Sequence, residues 1–573
     1  MTLLPLPDKN EARRFSVKSF VPKALVAIFF ASMLPVYWIA FHAPAVGIYH
    51  DDGIYLVTAK ALAEGKGYRI ISLTGEMLQT KYPILFPAVL SAAWKISPRF
   101  PENALFLKAI PFLFAMLWLW MTYRLIKEET RAPGVALWIV LLTAASSWVV
   151  FFSTICMSET FFASFAVWAL IRLKRLEEQE GEGEIGWPLL FSTILVAATF
   201  LTRTVGVSLV AAGAISMFRK RKYVSGVMFL FGCAILIAPW LWWQAVNADS
   251  IGAIDSYYTL SNYKNWNVLW NFTLEQKFRV VLINIFRIIF SPIVLLNFKM
   301  NTIGFYFSIV MILLACSGFI RDMCKNFGSL HLFILFYFSI IILWAWPPER
   351  FLFPMLPYLL FFSYKDIVRI CDRIFKYGNV KSYISMILIV LLGAQMLNGL
   401  LRITRETMKR QAVSFSSEQD DWKPIKELLD WIRQNTPQDS VLLGQLDPVY
   451  YLYTGRKAVR GFSADPYLLY YSEKPETALG DDQDLIRRIV AYRVGYIIRT
   501  PGRIFKEGPI FNGILDKLIS EFPEVLRLVK VGSEPSYNIY EVDQGKLHDV
   551  LRTGKWNSRG GHGVGPVTVP GSR

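Results

Sequence analysis

Two stretches of this chain, Val135 to Ile155 and Ile303 to Ile320, contain no charged residue. Each is close to the roughly 20 apolar residues that a helix needs to cross a bilayer core. Composition extends the point: 54% of the 573 residues are apolar and only 18% are charged, against about 25% charged in an ordinary soluble domain. A soluble fold could not bury that much apolar surface, so the chain is expected to be an α-helical polytopic membrane protein. The formal net charge of +17 sits in short clusters between apolar runs. That pattern reads as membrane topology, and no nucleic-acid partner is expected. Lys18 and Lys23 lead into Ala24 to Phe41, an apolar run too long for a signal-peptide core and read as a retained first span. The five cysteines are odd in number, lie in or beside spans and stop at Cys371; they predict neither a disulfide framework nor a zinc site.

Basic residues accumulate on the cytoplasmic side of a membrane protein. The clusters Arg13 to Lys23, Arg124 to Arg131, Arg172 to Arg175, Arg219 to Lys222, Arg321 to Lys325 and Lys365 to Lys381 are therefore expected inside. They leave about eleven crossings, near 24–42, 104–123, 134–155, 160–172, 187–202, 205–218, 224–243, 303–320, 330–346, 351–364 and 383–401. Two further apolar stretches, Ile84 to Ile96 and Val280 to Leu296, fall outside that count. The second holds Arg287, and a charge at the bilayer centre costs roughly 2.5 to 3.5 kcal/mol, so both are expected as interfacial or re-entrant helices on the outer side. If they cross, the count becomes about thirteen and the two ends keep their sides. The chain is then a multi-pass protein of the plasma or bacterial inner membrane, with residues 1–23 cytoplasmic, a transmembrane domain over 24–401 that includes an outer loop at 43–83, and an extracytoplasmic domain at 402–550. In that last region Trp422 to Gln434 and Asp484 to Tyr492 have helical spacing, each followed by a short strand signal, and Tyr537 to Val542 closes the pattern. A small α/β domain is predicted. The Gly-rich segment 551–573 has little to bury and is expected to be a disordered tail.

Polar motifs gather on the predicted outer face. They are HDDGIY at 50–55, GKGY at 65–68, TKYPILFP at 80–87, SET at 158–160, LTRT at 201–204 and PPERFLFPMLP at 347–357. Taken alone, Asp51 and Asp52 read as solvated loop charges or as an N-cap for the helix that follows. Arg350, Lys81 and Arg203 could equally be side chains snorkelling at a membrane boundary, and Glu159 a carboxylate at a helix N-terminus.

In their order and topology these motifs resemble the GT-C membrane glycosyltransferases, more closely the bacterial relatives of the protein O-mannosyltransferases and of the lipid A aminoarabinose transferases. The resemblance covers most of residues 24–401; the C-terminal region resembles only the variable outer domains of some members. It implies a GT-C fold of about eleven to thirteen transmembrane helices. It also implies an inverting transfer of a sugar from a polyprenyl-phosphate donor to a lipid, glycan or protein acceptor at the extracytoplasmic face. Asp51 matches the catalytic first acid, which would take the acceptor proton as general base. Asp52 stands where relatives often carry Glu, and could orient its neighbour, bind the acceptor or cap the helix. Glu159 matches the second acid. Arg350, Lys81 and Arg203 would hold the donor phosphate, Lys81 being offset by one position from the family's phosphate-binding Lys. Tyr55, Tyr82, Tyr257 and Tyr258 are the aromatic candidates for substrate contact. Some members use a divalent metal; His50, Asp51 and Glu159 would be its ligands here, and the cofactor stays open. Two other classes compete: a transporter or flippase of lipid-linked glycans, against which no paired repeat halves are seen, and a non-catalytic membrane assembly protein.

Overall fold

The structure, a computed structural model, describes residues 23–179, 186–248, 258, 267–374, 378–414 and 419–552. Tyr257, most of segment 1–23 and nearly all of the tail 551–573 lie outside the described residues.

Helices form wherever hydropathy predicts a span. The first, α1 (Lys23–Phe41), leads into a loop that contains α2 (Asp51–Ala63), a hairpin of β1 (Arg69–Ile70) with β2 (Met77–Leu78), and the short apolar helix α3 (Leu85–Ile96). Next come α4 (Ala104–Thr130), α5 (Pro133–Ala144), α6 (Ser147–Thr154), α7 (Glu159–Glu178), α8 (Trp187–Thr202), α9 (Val207–Arg219) and α10 (Tyr223–Asn247). After them follow α11 (Leu274–Leu295), α12 (Thr302–Asn326), α13 (Ser329–Ile342), α14 (Leu356–Ile374) and α15 (Gly378–Arg410). A short helix, Glu349–Leu352, adjoins α14, and the two pass together as one span.

Among the described residues six helices are long and apolar enough to cross a bilayer, or seven if the bent pair α5 and α6 counts as one. The length rule thus gives fewer crossings than the eleven to thirteen expected. Part of the shortfall has a structural pattern: α8 stops at Thr202 and α13 at Ile342, both beside a polar cavity. The 22-residue α11 is among the six, although Arg287 argued for an interfacial helix. Arg287 finds partners inside the protein: Glu349 Oε1 at 3.7 Å, the Tyr470 carbonyl at 3.3 Å and the Tyr471 ring.

The break between α5 and α6 is a 69° bend in apolar sequence. Exposed backbone groups there must be satisfied within the protein. Asn297 does this, accepting from Ser147 N at 2.9 Å and donating to the Ala145 and Met396 carbonyls, while Ser146 Oγ donates to Leu295 O.

The basic clusters meet at one end of the bundle. Lys174 pairs with Glu129, Arg175 with Glu128, Arg219 donates to Phe327 O, and Lys365 pairs with Asp322. The C-terminal domain occupies the other end. The expected boundary after Leu401 falls inside α15, which runs on to Arg410.

The domain begins with α16 (Trp422–Asn435) and continues through β3 (Leu442–Gly444), α17 (Asp447–Thr454), β4 (Ala458–Arg460), α18 (Pro466–Tyr471), α19 (Asp482–Ala491) and β5 (Tyr496–Arg499). It ends with α20 (Glu507–Glu521), β6 (Leu526–Val531), β7 (Asn538–Val542) and α21 (Gln544–Arg552). The five strands form one mixed sheet in the order β4-β3-β5-β7-β6, parallel across β4, β3 and β5 and antiparallel beyond. The predicted α/β character holds; β4 and β6 carried no strand signal that the sequence reading used.

Domain and membrane region share a seam. Ala458 N donates to Ser72 O at 2.8 Å, Lys457 reaches Ile71 O and Glu76, and Ala45 N donates to Gln411 O. Gly53 on α2 lies so close to α17 that an added Cβ would stand 2.7 Å from Pro448 Cβ. Only a residue without a side chain fits there.

Candidate active site

The first loop is built to aim one of its two acids. Asp52 is 1% exposed and accepts N–H bonds from Gly47, Tyr49 and Gly53 at 2.9 to 3.0 Å, closing the turn that starts α2. Burial and the adjacent Asp51 charge push its carboxyl up to about 7, against those bonds. His50, between the turn and the helix, is held at φ +61°, a strained conformation for a non-glycine residue. Asp51 is 21% exposed and lines a cavity of about 890 Å³ between the membrane helices and the C-terminal domain.

Around Asp51 the structure gathers residues from four distant segments. Arg350 Nη1 lies 2.6 Å from Asp51 Oδ2, and the Tyr82 hydroxyl donates to Asp51 Oδ1 at 2.6 Å. Arg350 Nε also pairs with Glu159, whose same oxygen is 2.8 Å from Arg203 Nη1. Arg203 donates to Ser158 Oγ at 3.1 Å, and Ser158 Oγ lies 3.0 Å from the Tyr55 hydroxyl. Burial works to raise the Asp51 carboxyl, but Arg350, His50 and Tyr82 outweigh it and hold the group well below the ordinary carboxylate range. These partners favour the charged form of the Asp51 carboxyl, which faces the cavity. Glu159, 2% exposed, lies behind the two arginines.

The motifs of the loop act through geometry. Gly65 and Gly67 of GKGY adopt φ of +73° and +79°, which favours glycine. That turn directs the buried Tyr68 hydroxyl to the Tyr82 carbonyl at 2.9 Å, fixing the segment that carries Lys81 and Tyr82. Lys81 is buried at the cavity wall, and burial lowers its ammonium to about 8.

Tyr55 and Tyr82 line the cavity with rings 5.2 Å apart. Tyr258 is placed elsewhere: its hydroxyl donates to Asp447 Oδ2 at 2.8 Å and its ring stacks on His50. His50 approaches Asp51 Oδ1 at 3.8 Å and Asp447 Oδ1 at 3.5 Å. The residues considered as metal ligands do not converge, because the Arg350 guanidinium lies between Asp51 and Glu159. Among the described residues no group of three His, Cys, Asp or Glu side chains has metal-holding geometry.

Sequence reasoning missed the contribution of the C-terminal domain. Arg460, Tyr470, Phe505, Lys506 and Glu507 line the same cavity, as does Arg287. None lies in a motif; a three-residue strand ending in Arg460 leaves no periodic signal.

No protein-family model matches the chain, and no curated protein sequence does. Solved structures are similar. ArnT from Cupriavidus metallidurans bound to undecaprenyl phosphate superposes with a TM-score of 0.53 at 11% identity, covering 91% of this chain and 98% of that one. Its apo state gives 0.52 at 11% identity, covering 90% and 98%. The Archaeoglobus fulgidus oligosaccharyltransferase tethered with an acceptor peptide containing the NVT sequon gives 0.50 at 10% identity, covering 90% of this chain and 74% of that one. These likenesses define the class of the fold: it is the GT-C membrane architecture, multi-pass and helical, with a C-terminal sheet-containing domain.

Proposed function

We propose that this protein is an inverting glycosyltransferase that takes a sugar from a polyprenyl-phosphate carrier. The observation that carries the reading is the Asp51 carboxyl, placed in a cavity beside Arg350 and Lys81 and next to apolar walls such as Trp148, Phe200 and Trp344. Its structural neighbours include a protein bound to undecaprenyl phosphate and one tethered with an acceptor peptide, which supports a lipid-linked donor.

An acceptor hydroxyl attacks the anomeric carbon from the face opposite the phosphate. Its proton passes to Asp51 as the new glycosidic bond forms, and the bond to phosphate oxygen breaks with the electron pair leaving on the polyprenyl phosphate. The leaving group gains negative charge, so cations stabilise its departure. Arg350 is the central cation, with Arg203 and Lys81 beside it. Arg350 is bonded to Asp51 and Glu159. A donor phosphate that draws Arg350 Nη1 toward itself weakens that bond and makes Asp51 a stronger base, so donor binding prepares the acceptor step.

The cavity end of the protein is proposed to face outward, since the basic clusters meet at the opposite end. A cysteine replacing Ser472 should then react with an impermeant reagent before the inner membrane is opened; labelling only afterwards reverses the orientation. The deciding assay supplies purified protein with a panel of polyprenyl-phosphate sugars and follows release of the free lipid phosphate. Hydrolysis or transfer from none of them, by protein that folds and binds the lipid, would overturn the reading.

A further inference from the structure

The close contact between Gly53 and Pro448 joins the turn before α2 to the start of α17. The residue before Pro448, Asp447, is thereby carried to the far side of His50. Asp447 is fully buried. Its Oδ2 accepts from the Tyr258 hydroxyl at 2.8 Å. Among the described residues its Oδ1 accepts no hydrogen bond, and the group it faces is His50 Nε2 at 3.5 Å, within ion-pair range. The other ring nitrogen, Nδ1, stands 3.8 Å from Asp51 Oδ1. The imidazole thus bridges two carboxylates, one from the first loop and one from the C-terminal domain. It is buried, and it stacks on the Tyr258 ring with centroids 6.1 Å apart. Its backbone at φ +61° is one that a non-glycine residue adopts at a cost, and such strain persists where the surroundings over-determine it.

A general base has to present a lone pair in one direction. Arg350 bonds to Asp51 Oδ2, and the Tyr82 hydroxyl and His50 lie about Oδ1, so the carboxylate is set at both of its edges. The ring that sets one edge needs setting itself, because rotation about the bond to an imidazole is broad and soft. A carboxylate on the second nitrogen removes that freedom and selects the tautomer. We propose that Asp447 is a positioning residue for the transfer reaction: it holds His50 from the side of the C-terminal domain, and His50 in turn orients Asp51 toward the acceptor hydroxyl. The proposal rests on the reading of Asp51 as the general base and extends the machinery to a carboxylate outside the cavity.

The test uses the full-length protein in detergent, with the polyprenyl-phosphate sugar that it turns over fastest and with undecaprenyl phosphate as the binding probe. Asp447→Asn keeps the shape and an oxygen for Tyr258 but removes the charge that faces His50. Turnover should fall about 10- to 100-fold, with affinity for undecaprenyl phosphate kept. His50→Gln should lose a similar factor, and the double variant no more than the larger single loss, since residues that act through one another are not additive. Losses that multiply in the double variant, unchanged turnover in folded Asp447→Asn protein, or a fall in turnover matched by an equal fall in lipid affinity overturn the proposal. Where Asp447→Asn does not fold, Tyr258→Phe takes its place: it removes one bond from Asp447 and should lower turnover about two- to tenfold in the parent protein but not in His50→Gln. An equal loss in both backgrounds overturns the proposal. A further readout needs no donor. The nitrogen NMR signals of the His50 ring, assigned by their loss in His50→Gln, should move in Asp447→Asn or Tyr258→Phe protein; signals that stay in place overturn the proposal, and they decide it should no donor turn over. Failure of the general-base reading shows separately, as near-normal turnover in Asp51→Asn, whereas failure of the positioning role alone shows as multiplied losses while Asp51→Asn is inactive.

Discussion

At the end of the bundle away from the C-terminal domain, Asp322 accepts from Lys365 and from Asn326 at 3.1 Å, lies 3.3 Å from His331, and has Arg321 facing Asp366 nearby. At the domain end, Asp51 and Glu159 share Arg350, and Arg203 completes the set. Arg350 and Lys365 lie on one continuous helical segment, about four turns apart. The two networks use the same chemistry and differ in what they face. The Asp322 side chain is 4% exposed and packed among α12, α13 and α14; that of Asp51, at 21%, is about five times as open and looks into the cavity. The Asp322 set spans some 45 residues of sequence, whereas the cavity set is drawn from four segments between residues 51 and 350. The contrast teaches that charge pairing alone does not mark a site; access to a cavity does.

The sharpest way to break the comparison is Asp51→Asn. The amide keeps the shape but cannot take a proton, so transfer should fall about 100- to 10,000-fold, with donor binding kept. A variant that retains near-normal turnover removes Asp51 as the base. Arg350→Ala comes next, because it removes charge-assisted bonds worth about 1.5 to 3 kcal/mol; donor affinity in equilibrium binding should drop roughly 10- to 100-fold. Equal affinity in a folded variant would place the phosphate elsewhere.

At the other network, Asp322→Asn should leave turnover within about twofold and instead cost about 1 to 3 kcal/mol of stability, read as a lower Tm in detergent. A large loss of turnover without a loss of stability would erase the distinction between the two ends. The smallest effect is a pH shift. Tyr82 helps hold the Asp51 carboxyl low, and the proposed general-base role needs that group ionised. Tyr82→Phe removes one stabilising bond from the carboxylate, raises its pKa, and should move the acid limb of the pH–rate profile upward. An unmoved or downward limb would show that another group governs it.

Much of the architecture was legible because crossing a bilayer leaves a strong mark: the uncharged run Ile303 to Ile320 gave the start of α12 to within one residue, although the helix runs on to Asn326. α11 is long and apolar enough to cross, and the Arg287 that weighed against crossing is answered by Glu349, 62 positions along the chain and invisible to a local reading. Asp51, Glu159, Arg203 and Arg350 stood in motifs at predicted helix ends, and the structure brings them together. Arg460 and Lys506 could not be found that way, since their place on the cavity wall depends on how the C-terminal domain docks on the membrane region. By residue type Asp51 and Asp52 are alike and only the resemblance separates them in sequence; in the structure the backbone N–H groups that converge on Asp52 set it apart.

The shared seam has a consequence for how such a protein can be taken apart or recombined. Ala45 and Ile48, from the loop after the first helix, belong to the same apolar cluster as Trp422, Ile425, Leu428 and Val449 of the C-terminal domain. The domain's interior is thus completed by residues nearly 400 positions upstream. A chimera that exchanged this domain at its chain boundary would carry half of one hydrophobic core and half of another, so the loop bearing Asp51 and the domain above it form one unit of inheritance, to be exchanged together or not at all.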